Sequence, residues 1–503
     1  MRFSSFCSVL FLAVELAVSQ QIWDIWQTTW DRSGLFTSLA PSTPINFVSP
    51  GAIGMADIVV DDSEVFQTIY GFGGSLTDSA AQLFNNLKTK NSANYWTLLD
   101  YLFSPTDGAN AAGLNYIRVP LGASDFSANT YTYATSPGDT SFSHFNINNA
   151  PSYVFSTLQD ILSVNRYLKI HVLPWSPASV PGWMKNSGTM NGGSLTNASV
   201  AIYANYLLKC LQGFQSKGLT PFAISIQNEP MNSDTTYPSC SMTVAVEAQI
   251  GIAFRALMND NGFGDVLLIG YDHNWSGVST YAIPLIEAAP RHSLGTVNEQ
   301  STFQSAFPNY DILFTECTGT IGSDWWSDIK WYMDNIFIVG LGYGSSTGLM
   351  WNLALDGNGD PLLPGSDSCT NGCRGIVQIN SNGTYSVNQE FYAMAQASKA
   401  IIPKDVGGPF GQRIGVSVGG ELNWALIVGA AHIGDDTDNG TWDPVAVPTT
   451  IEFRGMQASY TFPVGVTTLW WFAPAPSFNA EEEDSYALYS ETDGKQHPLR
   501  FFK

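Results

Sequence analysis

Ala223-Ile-Ser-Ile-Gln-Asn-Glu-Pro230 decides the fold. A short apolar run, the length of a buried strand, ends in Glu229, held between an asparagine and a proline. Asp311-Ile-Leu-Phe-Thr-Glu-Cys-Thr318 repeats the arrangement, with Glu316 one step past its apolar run. Parallel α/β barrels keep their active sites at the C-terminal tips of buried strands. Two carboxylates on two such tips make the pair that cleavage of a glycosidic bond needs.

Working outward from these stretches, short apolar strands alternate with longer amphipathic patterns from about residue 70 to residue 395. Strands are predicted near Tyr70–Gly74 and at Asn115–Pro120, Leu168–Pro174, Phe222–Ile226, Val266–Tyr271, Ile312–Thr315 and Gly348–Asn352. Val200–Phe214 and Val244–Met258 read as amphipathic helices, with further helices at Val278–Ala289 and Gln300–Phe307. This alternation predicts an α/β protein, most simply a (β/α)8 TIM barrel. Past about residue 400 the pattern becomes period-two with Gly and Pro punctuation, at 411–428 and 449–472, which predicts antiparallel strands. Residues 42–69 are strand-like and are expected to join that sheet. Between Trp275 and Asp311 no convincing sixth barrel strand can be read.

Residues 1–19 have the pattern of a secretory signal: Arg2, an apolar stretch from Phe6 to Val18, and a small-residue end at Ala17-Val18-Ser19. The apolar part is short and interrupted by Glu15, so it does not predict a membrane span. With 43 Asp and Glu against 21 Lys and Arg, the net charge of −22 and the lack of a basic patch argue against nucleic acid or anionic membrane as a partner. Cys210, Cys240, Cys317, Cys369 and Cys373 remain once Cys7 leaves with the signal. Cys369-Thr-Asn-Gly-Cys373 can close a tight disulfide, and the odd count leaves a free thiol, for which Cys317 is the best candidate. Asn197, Asn274, Asn382 and Asn439 lie in glycosylation sequons.

Other residues cluster at the predicted strand ends. Asn228 can bind a sugar hydroxyl beside Glu229. Arg118, inside an apolar strand, needs carboxylate partners and can hold a nucleophile ionised; a purely structural ion pair is equally compatible. Asp125, Trp175, Trp351 and Asn352 stand where a sugar platform and its hydrogen bonds belong, although each tryptophan alone is as well explained by core packing. Gly415-Val-Ser-Val-Gly419 matches a serine-hydrolase elbow, but the chain after it reads as strand, not helix. The histidines show no metal-ligand spacing, and Gly340-Leu-Gly-Tyr-Gly344 lacks a phosphate-binding pattern. No metal or cofactor is expected.

Gly71-Phe-Gly-Gly-Ser-Leu-Thr-Asp78, Ile117-Arg-Val-Pro-Leu-Gly-Ala-Ser-Asp-Phe126, Gly182-Trp-Met-Lys185 and Met190-Asn-Gly-Gly-Ser-Leu195 follow one another in the chain. Gln227-Asn-Glu-Pro230, Phe314-Thr-Glu-Cys317 and Trp351-Asn-Leu-Ala354 continue the series. Together they resemble glycoside hydrolase family 30, in particular its fungal endo-β-1,6-glucanases, and more distantly glucosylceramidase. Ile22-Trp-Asp-Ile-Trp-Gln-Thr-Thr-Trp30 and Tyr271-Asp-His-Asn-Trp275 look like the glucanase subgroup, and Tyr271 and His273 are placed with the substrate-binding residues.

The resemblance implies a retaining mechanism with Glu229 as acid/base and Glu316 as nucleophile. It implies that Arg118, Asp125, Trp175, Asn228 and Trp351 surround the sugar at the cleavage site. It also implies a barrel (70–398) with an attached all-β sandwich built from residues 20–69 and 399–503. The expected protein is a secreted monomer acting on a β-1,6-glucan polysaccharide. Two departures stand out. Ala178-Ser-Val180 separates Trp175-Ser-Pro177 from Pro181-Gly-Trp-Met184, which lengthens that loop. The family's sixth strand, with a tyrosine that orients the nucleophile, is missing between Ala289 and Gly295, through an exon-boundary error or a true deletion. The alternatives are therefore a catalytically impaired glucan-binding homologue, or another family specificity such as xylanase or glucosylceramidase.

Overall fold

A computed structural model describes residues 20–50, 57–177, 183–288, 297–402, 411–419 and 446–472. Its centre is a parallel sheet of seven short strands: β1 (Gly71–Ser75), β2 (Tyr116–Pro120), β3 (Lys169–Leu173), β4 (Ala223–Ser225), β5 (Leu267–Ile269), β6 (Ile312–Phe314) and β7 (Ser345–Met350). They run in the order β6-β7-β1-β2-β3-β4-β5, and every neighbouring pair is parallel. This curled sheet is the wall of an α/β barrel. The predicted β7 begins three residues too late, because Ser345 and Ser346 are buried polar positions and hid the start of the strand.

Strands β5 and β6 are consecutive in the chain yet stand at the two ends of the sheet, unpaired with each other among the described residues. The expected strand loss and the expected long loop fall on residues 289–296 and 178–182. Those segments, like residues 1–19, lie outside the described residues.

Side chains alternate along a strand, so every second residue of each barrel strand points to the axis. Tyr116, Ala223, Leu313 and Leu349 belong to one apolar cluster, which plugs the barrel. Two residues further along the same chains come Arg118, Ser225, Thr315 and Trp351, all buried. A polar layer thus lies directly on an apolar one, at the C-terminal rim. Gly-Phe-Gly-Gly in β1 is dictated by closeness: a Cβ on Gly73 would stand 1.9 Å from the Tyr116 carbonyl oxygen of β2. Thr77 caps the helix Asp78–Lys90 by accepting from the Ala80 N–H, and its hydroxyl donates to Asn352 Oδ1 at 3.0 Å, tying the tips of β1 and β7 together.

The helices Val200–Ser216 and Val244–Asp260 form as the periodicity predicts; Tyr203, Leu207, Leu211 and Phe214 make the buried stripe of the first. The predicted Val278–Ala289 helix is instead a π-helical turn, Val278–Ala282, followed by the α-helix Ile283–Ala288. Pro284 has no N–H for the preceding turn, and the wider turn accommodates it.

Outside the barrel, Gln21–Thr29 pairs antiparallel with Gly465–Phe472. A second sheet orders Gln412–Val418, Ile58–Thr68, Val447–Phe453 and Met456–Phe462. Ile22, Ile25 and Leu469 of the first sheet share an apolar cluster with Ile58, Val60, Ile451, Phe453 and Phe462 of the second. Ser417 pairs with Val59 next to the end of its strand, so 415–418 of the serine-elbow pattern are sheet, while the continuation expected at 420–428 lies outside the described residues. Cys369 and Cys373 are bonded, with Cα atoms 5.3 Å apart; Cys210, Cys240 and Cys317 are free thiols.

Candidate active site

Glu229 follows β4 and Glu316 follows β6, and both line one cleft at the rim of the barrel together with Asn228, Asp272, His273 and Trp275. A larger apolar cavity lies between the barrel and the antiparallel sheets, against Phe72, Phe337 and Trp471, but no carboxylate is among its described lining residues. The paired carboxylates that acid–base and nucleophilic chemistry would use lie in the rim cleft.

Arg118 organises the cleft from beneath. Its side chain is fully buried. One terminal nitrogen donates to Glu316 Oε2 at 2.6 Å; the other donates to Asn228 Oδ1 at 2.7 Å and to Asp272 Oδ1 at 3.2 Å. The guanidinium carbon lies 4.9 Å from the Trp175 ring, and Trp175 stacks on Trp351 with centroids 4.8 Å apart and planes 18° from parallel. A buried cation of this kind persists only when paired and hydrogen-bonded. Here two carboxylates and an amide oxygen meet that demand.

Asp272 was not singled out in the sequence. It accepts from Ser225 Oγ and Thr315 Oγ1, both at 2.7 Å, as well as from Arg118. The signal available was Arg118 itself, whose burial required a carboxylate besides Glu316. His171 Nε2 sits 2.7 Å from Ser225 Oγ, and burial pushes the imidazole down to about 3, so it is neutral.

Glu229 has a left-handed backbone, φ +45°, pinned by its N–H donating to the Asp272 carbonyl at 2.7 Å. Asn232 Nδ2 donates to its Oε2 at 2.9 Å, Asn274 Nδ2 to its Oε1 at 3.4 Å, and His273 Nδ1 lies 3.5 Å from Oε1. Burial pushes this carboxyl up, but His273, Asn232 and Arg118 together outweigh burial and hold it below its ordinary range. For Glu316, desolvation and the nearby Glu229 and Asp125 charges push towards about 8, against Arg118. Yet the Glu316 side chain is 37% exposed, so water weakens the desolvation penalty while the 2.6 Å contact with a wholly buried guanidinium persists. We therefore take the ion pair to decide its charge, with Glu316 ionised in the open cleft.

The remaining expected residues divide. Asp125 is buried beside the site, accepting from Ser368 Oγ at 2.7 Å and from Trp351 Nε1 at 3.4 Å, and burial raises it to about 6. Trp175 and Trp351 are each 3% exposed, so their faces meet each other and Arg118. Asn352, 1% exposed, accepts from Thr77 and does not line the cleft. Tyr271 is turned away from the expected sugar: φ of +52° reverses the strand alternation, its N–H donates to Glu247 Oε1 at 2.9 Å, and its hydroxyl donates to the Asn274 carbonyl. His273 does line the cleft.

The family model described as the glycosyl hydrolase family 30 TIM-barrel domain matches residues 69–274. An endo-1,6-β-D-glucanase of Neurospora crassa is 34% identical over 380 residues, covering 70% of this chain and 74% of the relative. One from Trichoderma harzianum is 31% identical, covering 68% and 72%. Mouse lysosomal acid glucosylceramidase is 27% identical, covering 60% and 63%. Among solved structures, an endo-β-1,6-glucanase superposes with a TM-score of 0.72 at 24% identity, covering 89% of this chain and 98% of the other, and SrfJ of Salmonella typhimurium with 0.75 at 20%, covering 90% and 99%. With two strand-end glutamates in one cleft of such a barrel, the chain belongs to glycoside hydrolase family 30 and is a glycoside hydrolase.

Proposed function

We propose that this chain is a secreted, monomeric, retaining endo-β-1,6-glucanase that works by double displacement without a cofactor. The observation that carries the reading is Arg118, which holds Glu316 with one nitrogen and Asn228, the neighbour of Glu229, with the other. The two glutamates are thereby set around one fixed cation. Glu316 attacks the anomeric carbon while Glu229 protonates the departing glycosidic oxygen. Glu229 then takes a proton from the water that hydrolyses the glycosyl ester. His273, Asn232 and Arg118 hold Glu229 ionised, so its acid role needs the substrate: a sugar filling the cleft removes water from the carboxyl and raises it. Asn228, Asp125, Trp175, Trp351 and His273 are the proposed surroundings of the reacting sugar, and Asn352 the support of that rim.

The β-1,6 preference rests on relatives named endo-1,6-β-D-glucanase in Neurospora crassa and Trichoderma harzianum. We assign residues 1–19 to the export signal, 70–398 to the catalytic barrel, and 20–69 with 399–503 to an accessory β-sandwich. The test is reducing-end release from β-1,6-glucan compared with β-1,3-glucan, β-1,4-glucan and β-1,4-xylan, with the anomer of the first product read by NMR. Glu316→Gln should abolish release. Glu229→Gln should slow the polymer by roughly 10²–10⁴-fold yet spare aryl glycosides whose leaving group needs no proton. Equal activity in Glu316→Gln sinks the assignment, and faster cleavage of xylan sinks the specificity.

One observation favours a second reading. Strands β5 and β6 are unpaired with each other among the described residues, and Glu316, which follows β6, has a side chain that is 37% exposed. A folded protein that binds β-1,6-glucan and releases no sugar would be a catalytically impaired, glucan-binding member of the family.

A further inference from the structure

Two quoted motifs, the one ending in Trp183-Met-Lys185 and Met190-Asn-Gly-Gly-Ser-Leu195, take no part in the chemistry above. Lys185 is 1% exposed and meets no carboxylate among the described residues. Its ammonium donates to Ser176 Oγ at 2.9 Å, to the Gly192 carbonyl at 2.8 Å, to the Ser239 carbonyl at 2.9 Å and to the Met190 carbonyl. Gly192, at φ +59°, turns the chain so that its carbonyl can reach the same nitrogen as that of Met190. Ser176 follows β3, and Ser239 lies on the segment that carries Glu229. The Ser239 N–H also donates to the Met190 carbonyl at 3.2 Å, the Gly192 N–H to Ser239 Oγ at 3.1 Å, and the Leu195 N–H to the Ser241 carbonyl at 3.0 Å. The loop 185–195 is thus fastened on one side to the acid/base segment.

Its other side faces a cleft of about 690 Å³, within the span of small-ligand sites. The opposite wall is the segment 130–135 after β2. Thr130, Tyr131, Thr135, Asn149, Thr189 and Asn191 line it, and none carries a charge in a protein of net charge −22. The Thr130 and Thr135 hydroxyls are exposed and have no protein partner among the described residues. The half-buried Tyr131 adds an aromatic ring, and Met190, 7% exposed, adds only an apolar edge. The lining offers neither a cation for an anionic ligand nor a carboxylate for an amine. The Asn149 and Asn191 side-chain nitrogens donate to the Thr132 and Thr235 carbonyls, which leaves their amide oxygens as acceptors. The two threonine hydroxyls, these amide oxygens and one ring match a pyranose, which presents hydroxyls at its edge and C–H groups on its face.

We propose that this cleft is a second saccharide-binding site, which takes the stretch of a neutral glucan chain lying beyond Glu229 on the leaving-group side. The direction, though not the saccharide chemistry, rests on the reading of Glu229 as acid/base. Lys185 is the clamp that keeps the cleft wall and the acid/base segment in one piece.

The test is calorimetric titration of the Glu316→Gln protein with long β-1,6-gluco-oligosaccharides, with and without Thr130→Val and Thr135→Val together. Both positions are exposed, so the melting temperature checks that the variant folds. Loss of two hydroxyl contacts should weaken binding roughly tenfold. In the active protein the same pair should lower kcat/KM for the polymer about tenfold more than for a two-sugar substrate. Unchanged affinity, or equal loss on long and short substrates, overturns the proposal. Should the wild-type protein fail to cleave β-1,6-glucan, the functional reading falls separately. Titration with β-1,3- and β-1,4-gluco-oligosaccharides then decides the cleft: weakening by the threonine variants supports it, and no binding of any of them overturns it.

Discussion

Arg118 and Asp272 meet at 3.2 Å with side chains 0% and 2% exposed, so the carboxylate that balances the central cation lies in the floor of the cleft, almost wholly withdrawn from water. Asp272 is itself pressed up by burial, but the Arg118 charge and the Ser225 and Thr315 hydroxyls outweigh that and hold it below its ordinary range. Replacing it by alanine leaves a buried guanidinium opposed by Glu316 alone. Breaking one side of a buried pair costs about 3–5 kcal/mol, so Asp272→Ala should lose stability on that scale in a denaturant titration. Where the variant still folds, more of the Arg118 charge acts on Glu316 and lowers it. The acid limb of kcat/KM should then move to lower pH; a limb that stays or rises contradicts the arrangement.

His273 offers the opposite lever on the other glutamate. Burial raises Glu229, and the His273 contact at 3.5 Å is the largest of the influences that pull it back down. In the proposed mechanism Glu229 must be protonated to act as the acid, so the basic limb of kcat/KM should follow it. His273→Ala should therefore move the basic limb to higher pH. A shift to lower pH, or none, would place the control of Glu229 elsewhere.

The strand-end glutamates were legible because alternation is rigid: a buried strand that points Ala223 and Ser225 inward presents its following residues at the rim. The same rule failed at Tyr271. From Ile269 it predicts Tyr271 inward, but the positive φ there exchanges the two sides, so Tyr271 joins the helix layer with Tyr281 and Asp272 enters the barrel. No local residue pattern announces a left-handed tyrosine. The stacking of Trp175 on Trp351 was equally hidden, because it joins β3 and β7, distant in sequence, through the size of Arg118 between the strands and not through any spacing. The accessory sheets were legible as period-two texture, while the parallel pairing of Val447–Phe453 with Ile58–Thr68 was not, since such a partner choice depends on the shared apolar face.

The sequons differ in what a glycan would meet. Asn197 and Asn382 are exposed away from the cleft. Asn274 lines it, with Nδ2 3.4 Å from Glu229 Oε1. A glycan there would fill the space that the leaving group needs. Peptide mapping of protein secreted from a eukaryotic host should find Asn197 and Asn382 occupied and Asn274 bare. A fully glycosylated Asn274 in an active preparation would contradict the placement of the cleft.

Stability should favour acid. Burial raises Asp78 and Glu247 to about 7 and Asp125 to about 6, and these side chains are nearly or wholly enclosed. A carboxyl raised in the folded state binds its proton there at a pH where the unfolded chain has released it. Its stabilisation is complete below the unfolded value and is lost as pH rises through the folded one. His171 works the other way: lowered to about 3, it favours the folded state increasingly as pH climbs to the ordinary histidine value. One histidine against three carboxyls leaves the carboxyls dominant, so the melting temperature should fall between about pH 4 and pH 7. Glu229 and Asp272, both lowered, set the other boundary, because their stabilisation disappears as pH drops through their folded values. Calorimetric scans from pH 3 to pH 8 should therefore show a maximum on the acid side, and Asp78→Asn, which removes the largest mismatch of the three carboxyls while keeping a partner for Ser127, should flatten the decline towards neutrality. A melting temperature that climbs steadily from pH 4 to pH 7 would mean that these carboxyls are not enclosed as the structure has them.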